Sequence, residues 1–507
     1  MAEQEQARSI FARLAEQYPD RPEYRKQMAE TLNSLAIARF GLGQTAGAAE
    51  ALREAAAAYQ QLVAAAPGNA DYRDSLANSE NNLGVVLQNM GRPTEAEAAY
   101  RQALALREKL VEDSPKSAKW RRSLGRTLNS LAVLADDQGK LDESERYHRQ
   151  AVQIREQLVA EDPNDATNFS DLAISYSNLG STLSSKASHA EAVALFRKAV
   201  GVQKGVAERF PTVAFYRVAE AKYLRNLGND LEGLGRSAEA RAVFLEAAAL
   251  QEKLLADAPA VPEHQFDLGR MRALLARSLT DLGRFEEAEA ELHKAIPLIE
   301  KACAAAPDQT AWSAELGLAC VYFGRLFHER GDPAAGLPWF ARAVDTLQES
   351  EAKNPGLADA RQYRIEAHAD RAEALDRLGR HAEALPDWDR AIELAGPGRD
   401  GIYRSFRMLS AGKPREAAAI ADDAAGHANT SGESLYQLAR VFARTSAACK
   451  GQPEEEPYAS RAVKLLRESA THDHDPSGWM QHDSALAGLR PRPDFQKLVA
   501  ELEGKGK

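Results

Sequence analysis

Amide side chains recur at Asn33, Asn81, Asn82, Asn129, Asn178 and Asn226, in two adjacent columns of a pattern that repeats every 48 residues. A carboxamide donates and accepts at once, so a row of them can pair with the backbone of an extended peptide whatever that peptide's side chains. Each such bond contributes about 1 kcal/mol net, so several in a row are needed. Bridging between neighbouring helices is the competing use of the same groups. Asparagine is a poor helix-interior residue, and its recurrence in mid-helix requires one reason or the other. Beside the amides run Arg126, Lys222, Arg225, Arg270, Arg277 and Arg325. On a chain of 507 residues with a net charge of -10 this basic stripe is a local departure. It predicts an acidic protein or peptide ligand, held through charge-assisted hydrogen bonds to a carboxylate. Salt bridging to Asp136, Asp137, Asp230, Glu232 or Asp281 is the alternative.

Other reactive residue types lead to no catalytic constellation. The sequence holds no phosphate-binding P-loop, no G-x-S-x-G elbow and no H-E-x-x-H metal motif. Cys303 stands in a column filled elsewhere by Val111, Val159 and Leu255, and Cys320 in one filled by Leu32, Leu128 and Leu224, so both read as buried small hydrophobes. His472, His474, Asp475 and His482 are of metal-ligating types, but their spacing fits no known site and a solvated loop is the expectation. Neither a cofactor nor an enzymatic activity is predicted. The acidic balance argues against a general nucleic-acid binder, whose phosphate contacts need a basic surface. Three cysteines in so long a chain make no disulfide framework. The start, MAEQEQARSIFARL, lacks the apolar core of a signal peptide, and no stretch is apolar enough to span a membrane. A cytoplasmic protein without membrane insertion is the expectation.

The elements that would position these side chains are set by the repeat. Proline stands at 19, 67, 115, 163, 211, 259, 307 and 355, always 48 residues apart. Gly43, Gly91, Gly139, Gly235, Gly283, Gly331 and Gly379 keep the same interval, with Ala187 the one exception. Alanine fills 55, 103, 151, 199, 247, 295, 343 and 391, and a second small column reads Ala36, Gly84, Ala132, Gly180, Gly228, Ala276, Gly324, Ala372. Chance does not align four columns over eight units. Proline ends the second helix of each unit, glycine lets the chain reverse between its two helices, and the small columns mark where helix axes cross. A large column, Tyr100, Phe196, Phe244, Leu292, Phe340 and Trp388, fills the space beside them, with His148 in its place in the third unit. Apolar residues between these landmarks recur at three and four, as in Leu104, Leu106, Leu110 and Val111. The predicted fold is all-α: a right-handed α-solenoid of stacked antiparallel helical hairpins.

Leu83-Gly84, Ala96, Tyr100, Ala103 and Pro115 follow the leucine–glycine, alanine, aromatic, alanine, proline order of the tetratricopeptide repeat family, which the chain resembles over residues 1–396. That family's usual unit has about 34 residues; here each helix is lengthened by about two turns, which keeps its buried face in register and predicts helices of about 20 residues. With the Asn81-Asn82-Leu83 signature, such long units are similar to the repeats of kinesin light chains. The resemblance implies that first helices line a concave face, that peptides or partner proteins bind there, and that asparagines at these positions take part. The final residues are similar to the C-termini of large bacterial serine/threonine protein kinases with long repeat tails. This implies an alternative role as a regulatory or docking region derived from such a kinase. The nearest kinase-like motifs are Gly41-Leu42-Gly43 with Gly47, at the wrong spacing, and His148-Arg149, without the aspartate, so no kinase activity is encoded.

The predicted organisation is an orphan second helix over 1–19, eight repeats over 20–396, two shorter hairpins over 397–475 and a cap over 476–507. Ala7, Ile10, Leu14 and Pro19 are in register with Ala103, Leu106, Leu110 and Pro115, so the chain opens inside the second helix of a unit. A fragment, a misplaced start or descent from a longer protein would each explain that. Solenoid ends can stack, which makes self-association a further expectation.

Overall fold

The computed structural model describes residues 2–396, 400–426, 431–471, 480 and 483–505. The His472, His474, Asp475 and His482 cluster lies outside them. All regular structure among the described residues is helical. Contacts divide the chain into two units, 1–186 with 201–206, and 187–200 with 207–507.

The first unit opens with α1 (Ala2–Gln17), which packs on α2 (Pro22–Gly41); α3 (Thr45–Ala65), α4 (Ala70–Asn89), α5 (Pro93–Asp113), α6 (Ala118–Asp137), α7 (Leu141–Glu161) and α8 (Ala166–Ser185) follow. α9 (His189–Arg209) carries residues of both units. The second unit continues through α10 (Ala214–Gly233), α11 (Ser237–Asp257), α12 (Pro262–Asp281), α13 (Phe285–Ala305), α14 (Thr310–Arg330), α15 (Pro333–Lys353), α16 (Ala358–Arg377) and α17 (His381–Ala395). The first helix of a hairpin has 20 residues in α2, α4, α6, α10 and α12, and the second has 21 in α3, α5, α7, α11 and α13. Within each unit consecutive helices pack on one another, which is the contact order of a solenoid.

Each hairpin reverses where the sequence places glycine. Gly43, Gly91, Gly139, Gly235, Gly283, Gly331 and Gly379 all have positive φ, between 68° and 93°, a region that side chains other than glycine's enter at a cost. Ala187 occupies the same conformation at φ 58°. The return from a second helix to the next first helix is tight: Pro67 and Pro115 each follow a C-cap residue, and Asn69 or Ser117 then accepts from the opening backbone N–H groups of α4 or α6.

Side-chain packing between the two helices of a hairpin is matched in size. A β-carbon on Gly84, Gly228 or Gly324 would stand 2.5, 2.3 or 2.5 Å from a ring carbon of Tyr100, Phe244 or Phe340, each sixteen residues later. Where that column holds alanine, the residue sixteen later is Leu52, His148, Leu292 or Trp388. The glycines therefore admit phenyl rings that an alanine would exclude, while leucine leaves room for the methyl group.

Beyond α17 come shorter elements: α18 (Gly401–Ser410), α19 (Pro414–Ala425), α20 (Gly432–Ala448), α21 (Glu455–Ser469), a 3-10 turn (Ser484–Leu489) and α22 (Pro493–Lys505). They share one core with the last long hairpin, in which Trp388 stacks on Phe406 at 5.3 Å beside Tyr436, Phe442, Leu466 and Leu486. Asp376 ties them further. Its carboxylate accepts from Ser410 Oγ at 2.6 Å, His381 Nδ1 at 2.9 Å and Trp388 Nε1 at 3.3 Å.

Candidate binding faces on the first helices

The amide columns of the first unit lie between successive first helices. Asn33 exchanges hydrogen bonds with Ser79 Oγ, donating at 3.0 Å and accepting at 3.1 Å. Thr127 Oγ1 donates to Asn81 Oδ1 at 3.1 Å, and Asn81 is buried. Asn178 Nδ2 donates to Asn129 Oδ1 at 2.7 Å. These bonds join residues 46 or 49 apart, so each links one repeat to the next. Asn82, half-buried on α4, makes no such bond. Arg126 is exposed and donates to Asn78 Oδ1 at 3.1 Å, the same oxygen that Arg107 Nη2 reaches at 2.7 Å. Arg107 is fully buried without a carboxylate partner, and burial, followed by the charge of Arg126, lowers its pKa to about 10.

In the second unit the first helices carry a dense set of charges. Arg325 donates to Asp370 at 2.6 Å and to Glu366 at 2.9 Å, both on α16. Arg277 donates to the Tyr322 hydroxyl at 3.3 Å and lies over that ring at 5.7 Å. Arg270 pairs with Asp267 at 2.5 Å and covers Phe266 at 4.8 Å. Lys222 and Arg225 make no ion pair; Arg225 reaches only the Asn226 carbonyl, at 3.3 Å. Crowding by surrounding protein lowers the pKa of Arg225 to about 10, with the charge of Arg270 adding to it. Lys222 is accessible to solvent, yet the protein around it, and then Arg225 and Arg270, depress its pKa as well. An accessible ammonium that still feels burial sits in a recess rather than on an open surface.

The contrast with other arginines is sharp. Arg73, Arg121 and Arg217, at one register of α4, α6 and α10, each reach an acid forty residues later: Asp113 at 2.7 Å, Glu161, and Asp257 at 2.8 Å. Lys222 and Arg225 are cations for which the fold supplies no such partner.

The basic stripe is interleaved with groups that the sequence reading did not single out. Glu315 on α14 lies towards Arg270 and Arg225, and burial raises its pKa despite them. Asp370 is raised to about 6, by burial first and by Glu366 in addition, against the pull of Arg325. Glu329, the penultimate residue of α14, is exposed and makes no ion pair, and its pKa is pushed up to about 7 by crowding and then by Asp483. The signal for all three is the carboxylate-rich 48-residue register from Glu315 to Tyr363 and from Arg325 to Glu373. Among the described residues no cluster of three or more metal-ligating side chains occurs, and no helix is long and apolar enough to cross a membrane.

Stacked hairpins with polar, charge-crowded first helices define an all-α solenoid of the interaction-scaffold class. Models of the tetratricopeptide repeat match residues 75–131, then 124–165, 172–207, 221–265 and 270–307, and again 365–386. The chain belongs to the tetratricopeptide repeat family. Among solved structures, BtubC (BKLC) from P. vanneervenii is similar at 19% identity over 50% of this chain and 90% of its own, with a TM-score of 0.41. A Rap protein complexed with Competence and Sporulation Factor is similar at 14% identity over 85% and 99% of the two chains, TM-score 0.44. Human IFIT1, a dimer with m7Gppp-AAAA, gives 16% over 87% and 90%, TM-score 0.39. No curated protein sequence matches the chain.

Proposed function

We propose that this protein is a non-enzymatic docking scaffold that receives extended peptide segments of partner proteins on its first-helix faces, with acidic side chains of the ligand directed to Lys222, Arg225 and Arg270. The observation that carries the reading is the cation pair Lys222 and Arg225, held in a recess with no carboxylate in reach. Holding like charges together lowers the affinity of each for its proton, and an incoming carboxylate relieves that repulsion as it binds. Asn226 adds an amide whose N–H2 group is not engaged, and Asn82 offers a second on α4 of the first unit. Arg277 and Arg325 play a different part in this reading. Their guanidinium groups hold Tyr322, Asp370 and Glu366 and so fix successive first helices beside the recess.

The test is binding of a fluorescein-labelled pool of Asp- and Glu-rich 12-residue peptides, followed by anisotropy, with an amide-for-acid pool as control. Saturable binding of the acidic pool that weakens about tenfold in K222E/R225E, and falls with added salt, is the expected result. Equal binding of both pools to the wild-type chain and the variant would overturn the reading.

A further inference from the structure

The basic recess has a counterpart of opposite sign. Glu329, at the C-terminal end of α14, is exposed and makes no ion pair, although the helices around it are rich in arginine. Those arginines are committed elsewhere. Arg377 donates to the backbone carbonyl of His328 at 2.8 Å, Arg440 holds Glu373 at 2.7 Å and Asp483 at 2.9 Å, and Arg325 holds Asp370 and Glu366. The second unit thus presents an unpaired cation pair on α10 and an unpaired carboxylate on α14, joined by first helices that meet directly: Arg277 on α12 contacts Tyr322 on α14.

We infer that the ligand is an extended peptide of reversing charge, whose acidic residue meets Lys222 and Arg225 and whose basic residue meets Glu329. This rests on the docking reading above and adds the second contact and the spacing. The repeat register places Lys222 and Arg225 opposite Leu318 and Val321 of α14, so Glu329 lies eight to eleven residues further along the helix. That is about 12–16 Å at 1.5 Å per residue. Two helix layers at roughly 9–10 Å each separate α10 from α14. The diagonal is about 24 Å, which an extended strand at 3.3 Å per residue spans in about seven residues. A purely acidic peptide would satisfy one end and place a like charge against Glu329; a peptide with a lysine or arginine about seven residues from its aspartate or glutamate satisfies both.

The experiment is selection of randomised 12-residue peptides on the full chain, followed by affinity measurement of the winners on K222E/R225E and on E329K. The expected winners carry an acidic and a basic residue about seven apart. Their affinity should fall at least tenfold on either variant, and recover on E329K when the peptide's basic residue is changed to glutamate. Winners with acidic residues alone, bound equally by the wild-type chain and E329K, would overturn the charge-reversal proposal and leave the docking reading standing. Failure to enrich any peptide over a scrambled control on the wild-type chain would overturn both. Circular dichroism of the two variants, superimposable on wild type, shows that lost binding is not lost folding.

Discussion

The Cε1 atom of Phe244 lies 2.3 Å from the point where a β-carbon on Gly228 would stand. Nothing but hydrogen fits there, so the ring and the glycine form one packing unit. The same chain shows the other solution, since alanine in this column is followed sixteen residues later by leucine at Ala36 with Leu52 and at Ala276 with Leu292. Gly228→Ala should therefore destabilise by about 1–3 kcal/mol through overpacking, although alanine is the better helix former. Adding Phe244→Leu should restore part of that loss, giving a favourable coupling energy in a double-mutant cycle. Urea melts of the four proteins measure it; strictly additive effects would show that the ring moves aside without cost.

Ala187 is the position where the turn column departs from glycine, and its φ of 58° is one that L-residues avoid. The left-handed conformation costs an alanine about 1–2 kcal/mol, while glycine gives back about 0.5–1 kcal/mol in unfolded-chain entropy. Ala187→Gly should consequently raise stability by up to about 1 kcal/mol. A urea midpoint unchanged or lower than wild type would mean that the turn stores no strain.

The fold was legible in the sequence because packing constraints repeat. Pro67 and Pro115, Gly91 and Gly235, Ala103 and Ala151 each answer a local requirement that recurs every 48 residues, and one chain supplies eight readings of it. The helix lengths followed from the same register, since added turns must keep the buried stripe aligned. The faces that carry charge were legible only in outline. A column assigns Asn129 or Arg325 to a side of the helix, but not the partner. That partner lies about one repeat away, as with Asn178 for Asn129 and Asp370 for Arg325, and depends on how neighbouring layers are offset. Glu329 escaped notice for a related reason: its meaning lies in arginines that are committed to Glu373, Asp483 and a backbone carbonyl, which only the packed arrangement reveals.

His148 takes the place of the large hydrophobe in the third unit and is fully buried, with no hydrogen bond at either ring nitrogen. Its nearest charged neighbour is Asp136, with Nε2 at 3.6 Å, too long for a good bond. A buried polar group left unsatisfied costs about 1–3 kcal/mol. Ala132, sixteen residues earlier, leaves the room that leucine uses in the first and sixth units. His148→Leu should raise the melting temperature, and a lower value would show that the imidazole is tied through ordered water.

Glu329 gives the chain a pH dependence whose sign can be worked out. Crowding, and then the carboxylates of Asp483 and Glu373, push its pKa up to about 7 against an ordinary value of 4.5, while Arg440 and Arg377 pull the other way. The native chain thus keeps a proton that the unfolded chain has already released. Stability from this group is complete below pH 4.5 and is lost as pH rises towards 7. Glu329→Gln holds the side chain neutral throughout, so the variant should melt higher than wild type at pH 8, and the gap should close on approaching pH 5. His328, lowered to about 4 chiefly by burial, stays neutral over that interval and does not mask the effect. The measurement is the melting temperature of both proteins from pH 5 to pH 8. A gap of constant size would mean that solvent reaches Glu329 freely enough to cancel the crowding, and would remove the physical basis for expecting a ligand cation to be held there.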